Sequence, residues 1–514
     1  MPVRQNLLDR AIGYFSPVAA AERVKARGVI DNMTRDYAGA AVGRNTEGWK
    51  TSSTSADHEI WKGGRRLRDR ARDLERNNPY AAKAASILTT NIVGEGIMPR
   101  AMTGDAERDK RVMAVFDKWS RQCDAEGQLD FYGLQTLAVR GMVVGGEMLA
   151  RRRIRRSTDG LSVPLQIQLL EPDFLDDMRH GDLLGGFNAV QGVEFDAIGR
   201  RAAYWLYRSH PGNNFTFRTV SFRVPASEVV HLYEKQRTQS RGVSWFAPVV
   251  RRIRDVDDYD FAEGIRKKIE ASTVAFVTGE DEELTLTPDG ERKPSRVEDA
   301  NGNLIEKFAP GLIAYLRGGK DVKFNQPAAV GGYEAYKRVT AREIATGTRV
   351  PYNLLTNDGS QENFSAQRAL TVDFRRFCGV VQRQIVIPML CEPIWRWFCE
   401  AAYAAGEIDD VYIPVEWSTP RWQAIDPYKD AMADLIGIRM GLKSWAEAVS
   451  ERGWNPDDMF AEIVAWNAKF DEAGAIFDGD ARKVSLAGVV QKLVTDAAGG
   501  DSGGNQGGGQ SSQG

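Results

Sequence analysis

The 514-residue chain is 42% hydrophobic and 27% charged, enough for about two to four domains and a sizeable core. Its 68 Lys and Arg are balanced by 70 Asp and Glu, for a formal net charge of -2. The basic excess that usually accompanies a tight grip on duplex DNA is missing, so any DNA contact is expected to be loose, local or transient.

Residues 1–30 set Leu7, Leu8, Ile12 and Phe15 among basic residues, an amphipathic pattern compatible with helix and without the unbroken apolar core of a secretion signal. No stretch reaches the ~20 apolar residues that span a bilayer, so a soluble, intracellular chain is expected. Residues 31–57 are rich in Gly, Ser and Thr and read as irregular. From Glu59 to Ile92 the composition is helical, with one break at Asn77-Asn78-Pro79. Asn78 suits an N-cap and Pro79 the first helical position, which leaves Ile87, Leu88, Ile92 and Val93 for the buried side. Helical runs follow over 106–123 and 130–146, the second ending at Gly145-Gly146. Alternation then predicts strands over 147–155, 165–170, 190–195, 203–209 and 228–234, punctuated by Gly and Pro turns such as Glu171-Pro172-Asp173.

Beyond Gly242 a helix is predicted over 246–276, about 47 Å long at ~1.5 Å per residue, with Pro248 tolerated in its first turn. Its apolar stripe drifts from Val249, Ile253 and Val256 to Phe261, Ile265 and Ile269, amid charges of both signs. Such a run is either a solvated amphipathic helix or one packed beside identical copies, with opposite charges meeting across subunits. Residues 279–329 are polar and turn-rich with a short apolar run at 312–316, the pattern of a small β-containing insertion. Helix returns over 334–346 and stops at Val350-Pro351. A polar loop over 353–363 turns at Asn357-Asp358-Gly359, and Ser365 can cap a second long helix to about residue 404. Pro388 and Pro393 must kink or divide that helix. Residues 411–425 look extended, 427–470 look like short helices, and the Gly/Ser-rich tail from Gly499 is linker-like.

Little in the chain suggests catalysis. The cysteines Cys123, Cys378, Cys391 and Cys399 form no CxxC pair and read as reduced thiols packed as small hydrophobes. His58, His180, His210 and His231 are widely separated, in no metal-ligand spacing. Gly318-Gly319-Lys320 resembles the end of a phosphate-binding loop, but Asp321 stands where Ser or Thr would bind magnesium and no Gly sits five residues before Gly319. No catalytic residue, metal or cofactor is therefore expected. The basic run Arg151-Arg152-Arg153-Ile154-Arg155-Arg156 would alternate across a strand, which dilutes any patch; a solvated strand end or a partner-pairing loop is the expectation. Arg65-Arg66-Leu67-Arg68-Asp69-Arg70 reads as a mixed basic helix face.

Four stretches, in this order, resemble the lambda-type portal proteins of tailed phages. They are Glu75-Arg76-Asn77-Asn78-Pro79-Tyr80-Ala81 followed by Asn91-Ile92-Val93-Gly94; residues 133–147, a helix ending in Gly-Glu before a basic strand; residues 239–276, where Arg-Gly precedes the charged helix; and Val350-Pro351-Tyr352 through Ser365-Ala366-Gln367-Arg368-Ala369. With residues 445–464 after them, the resemblance covers roughly residues 35–470.

The resemblance implies an α+β portal fold: an N-terminal arm (1–57), a mixed α/β wing (58–244), a first stem helix (245–276), a small β-containing clip (277–329) and a second stem helix (330–349). A tunnel loop (350–364), a long kinked helix returning through the wing (365–426), a helical crown region (427–496) and a disordered tail (497–514) complete it. It further implies a homo-oligomeric ring, usually of twelve subunits, at one capsid vertex, through which double-stranded DNA passes during packaging and ejection. Implied partners are the terminase large subunit, a head-tail connector or adaptor, the major capsid protein and scaffold, with no membrane. Localisation is the virion, with assembly in the host cytoplasm. Asn357, Asp358, Gly359, Ser360, Gln361 and Asn363 would then sit near the bore, with Arg251, Arg252 and Lys267 as candidate lining charges. The competing reading is another phage head structural protein without a channel.

Overall fold

The computed structural model describes residues 53–213, 220–271, 275–279, 313–317, 321–324, 332–360, 364–420, 422, 427–452, 454 and 456–475, with residues 14, 16–19, 22, 25 and 482 besides. Residues 1–55 and 56–514 separate into two units; in the first, residues 17–19 are helical, and the elements below belong to the second.

Helices α1 (Ala56–Asn77) and α2 (Pro79–Val93) flank the expected break. Asn78 Oδ1 accepts the N–H groups of Tyr80 (2.9 Å) and Ala81 (3.1 Å), while Pro79 occupies a position that needs no N–H. β1 (Met98–Ala101) leads to α3 (Ala106–Ser120), capped by Asp105, and then to α4 (Phe131–Gly145), capped by Asp130. Helices α2 and α4 carry few charges because each is covered on several sides; α4 packs on α1, α2 and the strand that follows it. α4 ends at Gly146, whose φ of 92° lies in the left-handed region.

β2 (Glu147–Ile154) is the middle strand of an antiparallel sheet between β3 (Leu165–Leu170) and β9 (Val229–Tyr233). A second sheet is an antiparallel meander of β4 (Gly181–Leu183), β5 (Phe187–Val190), β6 (Val193–Phe195), β7 (Arg201–Tyr207) and β8 (Ser221–Pro225). The single strand expected over 190–195 is instead a hairpin. Gln191 (φ 51°) and Gly192 (φ 82°) form its two-residue turn, and both take the positive φ that a tight antiparallel reversal requires.

α5 (Val250–Ala271) is shorter than the helix expected over 245–276, about 33 Å at ~1.5 Å per residue. At its start Trp245 and Phe246 are buried, the Trp245 N–H donates to the Val143 carbonyl, and the chain winds through turns to reach the helix. At its end Ala275 and Phe276 belong to β10 (Ala275–Gly279), which pairs parallel with β11 (Ile313–Arg317) and antiparallel with β12 (Asp321–Phe324). The rest of the insertion, residues 280–312, lies outside the described residues, as do the tail from residue 483 and most of residues 1–52.

α6 (Tyr333–Thr348) is followed by the short α7 (Tyr352–Thr356), so the expected loop over 350–364 begins with a helical turn that tucks Leu355 into the core. α8 (Phe364–Val381) starts one residue before Ser365, which therefore does not cap it. Pro388 does not end the helix either. The winding widens to a π-helix over Gln382–Cys391, which absorbs the missing N–H, and then resumes as α9 (Glu392–Ala404). β13 (Val415–Ser418) pairs with β1, and α10 (Pro427–Arg439), α11 (Trp445–Glu451) and α12 (Pro456–Glu472) follow. The main core is centred on Phe116, Trp119, Phe131, Trp395 and Phe398, whose rings pack edge-to-face or tilted, with Phe398 5.2 Å from Phe116 and 5.1 Å from Trp119. Each such ring contributes roughly 1.5–3 kcal/mol through burial.

Candidate functional site

Helices α5 and α6 run antiparallel, as their cross-contacts show: Arg252 pairs with Glu343 (2.6 Å), while Asp260 accepts from Lys337 (3.0 Å) and Tyr333 Oη (2.9 Å). Gly347 permits the close approach at one end, since a Cβ there would lie 2.1 Å from Val249 Cγ1. Asn78 fastens the pair to the helical layer through a 2.7 Å bond to Asp257. Burial along α5 splits the drifting stripe. Val249, Ile253 and Val256 are in the core, whereas Phe261 is 72% exposed and Ile265 43%.

The pair passes into the polar loop through Arg349, which caps α6 in the left-handed conformation (φ 63°), unusual for a residue with a side chain. Its guanidinium donates to Glu234 at the end of β9 (2.9 Å) and lies over the rings of Trp245 (4.8 Å) and Phe377 (5.7 Å). One residue thus ties α6, β9, the entry to α5 and α8 together beneath the loop. Asn357, exposed, ends α7 with a second left-handed φ of 57°. Asp358 accepts from Tyr352 Oη (3.1 Å) and from the Ser360 N–H (3.1 Å) and Oγ (2.6 Å), bonds that hold its carboxyl below the usual range. Gly359 and Ser360 are exposed; Gln361 and Asn363 lie outside the described residues.

The three candidate charges on α5 do not share one face. Arg251 lines a groove of about 430 Å³ with Arg70 and Asp73 of α1, whereas Arg252 turns to Glu343 of α6. Lys267, also exposed, lies fifteen residues further on, roughly 22 Å along the axis from Arg252.

Sequence reasoning did not single out the buried charge cluster that holds the sheets to the helices. Glu147, fully buried at the start of β2, meets Arg241 (2.7 Å), Arg68 (3.1 Å), His231 Nε2 (2.9 Å) and the Gly242 N–H (2.8 Å). Burial alone would raise its pKa, but Arg241, the His231 hydrogen bond and Arg68 together hold the carboxyl well below the usual range. Burial pushes His231 down to about 4, so the ring is neutral at pH 7. Arg201 Nη1, which can only donate, is 2.7 Å from His231 Nδ1; the ring proton therefore sits on Nε2 and is donated to Glu147. The remaining Arg241 and Arg68 donors meet the carbonyls of Gln191, Pro172 and Gly145, and Arg68 Nη1 lies 3.6 Å from the Asp173 carboxylate. Arg68 is thus a core residue and not part of an exposed basic face.

Four of the five arginines in the Arg151–Arg156 run are likewise engaged within the chain, and Arg156 is exposed. Arg152 pairs with Glu400 (2.6 Å), Arg153 with Gln168 and Arg155 with Gln166 (2.7 Å), while Arg151 covers Phe222. The fold brings His210 to Glu171 and Asp173, with ligand atoms within 4.8 Å of one another. Arg72 already bridges both carboxylates (3.1 and 2.7 Å), which makes the group an ion-pair cluster. The four cysteines are buried free thiols; burial pushes Cys378 and Cys399 up to about 12 and raises Cys123 and Cys391 as well. Among the described residues, no helix is long and apolar enough to cross a membrane.

The family described as phage portal protein, lambda family, matches residues 42–382. A probable portal protein of Halomonas phage phiHAP-1 is 28% identical over 463 residues, covering 86% of this chain and 88% of the relative. Portal protein B of Escherichia phage lambda is 23% identical over 488 residues, covering 84% and 90%. Solved structures with similarity include the neck of a native GTA particle computed with C12 symmetry, at 16% identity and a TM-score of 0.41, covering 75% of this chain and 94% of that one.

Proposed function

The chain belongs to the lambda family of phage portal proteins, and from that premise we propose that copies of it form a ring, of twelve subunits, whose axial channel carries double-stranded DNA into and out of the capsid. In this reading residues 58–244 are the wing, α5 and α6 the stem helices, 277–329 the clip, 350–364 the tunnel loop and 427–496 the crown. The clip receives the terminase large subunit during packaging and a head-tail connector afterwards, and the wing meets the major capsid protein and scaffold. Assembly takes place in the host cytoplasm and the ring ends at the capsid vertex.

The observation that carries the reading is the family match, whose span of residues 42–382 takes in the meander, both helices of the pair and the polar loop. The surface of the single chain supports it. Phe261 and Ile265 of α5 and Val339 of α6 lie in water, and α10 and α12 bury no residue of their own. Large apolar side chains at these positions are better accounted for by neighbouring copies than by solvent. The channel role rests on the exposed Asn357, Gly359 and Ser360, which offer DNA dipoles without fixed positive charge.

Two measurements test it. Negative-stain imaging of the purified full chain should show rings with an axial hole; compact monomers at all concentrations would overturn the ring. Replacing residues 357–363 with a short Gly-Ser linker should leave rings intact while lowering DNA packaging or retention. Unchanged phage yield from that variant would remove the loop from the mechanism.

A further inference from the structure

A cavity of about 350 Å³ opens where β7 and β9 meet α9 and the π-helical segment before it. Its walls divide by chemistry. Met389, Pro393 and Trp397 form an apolar side, and Arg201 and Arg396 a cationic one. Among the described residues, no Asp or Glu lines it.

Arg201 is largely withdrawn from water, yet none of its direct partners is an anion. Nη1 donates to Tyr204 Oη (2.8 Å) and His231 Nδ1 (2.7 Å), and Nη2 to Tyr233 Oη (2.6 Å) and the Ser240 carbonyl (3.0 Å). Four neutral acceptors orient the guanidinium without neutralising it. The nearest carboxylate, Glu147, is already engaged by Arg68 and Arg241. Around Arg201 no described carboxylate is therefore left to pair it, where a buried cation is ordinarily paired. Its Nε–H has no acceptor among the described residues. Arg396, exposed on α9, has no ion-pair partner among them either, and the Trp397 indole N–H is already donated to the Ser227 carbonyl (3.0 Å).

We propose that this cavity is a binding site for a single oxyanion, a carboxylate or phosphate-class group, held between the Arg201 Nε–H and the Arg396 guanidinium. The apolar wall takes the body that carries the group. Two guanidinium groups lining one partly dehydrated pocket favour an anion far more than either would at an open surface. Met389, Pro393 and Trp397 then discriminate against ligands that are charged throughout. The site lies on elements separate from the helix pair and the polar loop, and stands whether or not the ring reading does.

The test uses the purified full chain at constant ionic strength set with sodium chloride. Inorganic phosphate and acetate are titrated separately while thermal stabilisation and heat of binding are recorded. At least one of them should bind saturably, and Arg396→Gln should weaken that binding about tenfold or more, the effect of losing one charge-assisted hydrogen bond. Phosphate alone would identify a tetrahedral ligand and acetate alone a carboxylate, and either result supports the site. Arg201→Gln also strips four core hydrogen bonds, so the surface variant carries the test. Stabilisation no greater than chloride provides, or full affinity retained in Arg396→Gln, overturns the proposal.

Discussion

Replacing Glu147 by Gln should cost roughly 3–5 kcal/mol of stability, the usual penalty for removing one partner of a buried ion pair. The substitution changes shape very little, so the loss isolates charge. The carboxylate now faces donors only: Arg68 Nη2 at 3.1 Å, Arg241 Nε and Nη2 at 2.9 and 2.7 Å, His231 Nε2 at 2.9 Å and the Gly242 N–H at 2.8 Å. An amide offers one acceptor oxygen to that ring and points an NH₂ at the rest. At least two donors then lose their acceptor, and two guanidinium groups lose their only fully buried counter-ion. Two lost charge-assisted bonds at about 1.5–3 kcal/mol each give the same magnitude. The assay is urea unfolding followed by far-UV circular dichroism at pH 7 and fixed protomer concentration, so that assembly does not shift the midpoint. A loss below about 1 kcal/mol, with an unchanged denaturant slope, would refute the claim that this carboxylate neutralises Arg68 and Arg241.

Acidification should weaken the same cluster before most carboxylates titrate. His231 falls from 6.5 to about 4 on folding, so between these values the unfolded chain binds more protons; its contribution is complete above about pH 6.5 and is lost as pH falls toward 4. That contribution is on the order of 3 kcal/mol, and Glu147, whose pKa is depressed, adds a loss in the same direction below about 4.5. A His231→Gln variant should show a flatter urea-midpoint profile between pH 4 and 6.5, and an unaltered profile would sink the assignment. Two glycine substitutions should give opposite results: Gly242→Ala sets a Cβ 2.1 Å from the Gly146 carbonyl oxygen and should abolish soluble protein, whereas Gly264→Ala, inside α5 with open space around it, should stabilise by about 1 kcal/mol. Equal soluble yields and equal midpoints for the two variants would contradict the packing described at Gly146.

How far the fold was legible follows from the range of the forces involved. Asn78-Pro79 could be read as a helix start because a cap is a contact across three residues, and the strand at Leu165–Leu170 because its alternation is local. β1 was missed: it holds Pro99, and its reason to be extended lies with β13, more than three hundred residues away. The π-helical stretch was hidden too, since a proline at 388 signals a break and only the packing around it decides between kink and widened winding. At the charge cluster, sequence reading found both halves without their meaning. Gly146-Glu147 and Arg241-Gly242 stood out as local patterns, but only folding shows that the two glycines exist so the backbones can touch while the neighbouring charges pair. Arg68 was concealed within a basic run, although it precedes Ala71 and Leu74 at the spacing of the buried stripe of α1.

The same pairing sharpens what near-neutrality implies for a channel. A formal charge of -2 could still conceal a strongly basic bore if the acids lay elsewhere. On α5 the pairing of Arg252 with Glu343 counts against that, and it follows the habit of the chain's other described arginines. Arg68, Arg152, Arg241, Arg252 and Arg349 each meet a carboxylate of the same chain, several of them in or near the core. If α5 faces the duplex, Arg252 brings Glu343 with it and presents an ion pair instead of a bare cation. The phosphate backbone would meet dipoles whose attraction and repulsion nearly cancel, few counter-ions would be released on contact, and the cost of moving from one helical register to the next would stay small. In such a channel, pairing of this kind would lower friction more directly than a low net charge does, because friction depends on the fixed charge within reach of each phosphate and not on the sum over the chain.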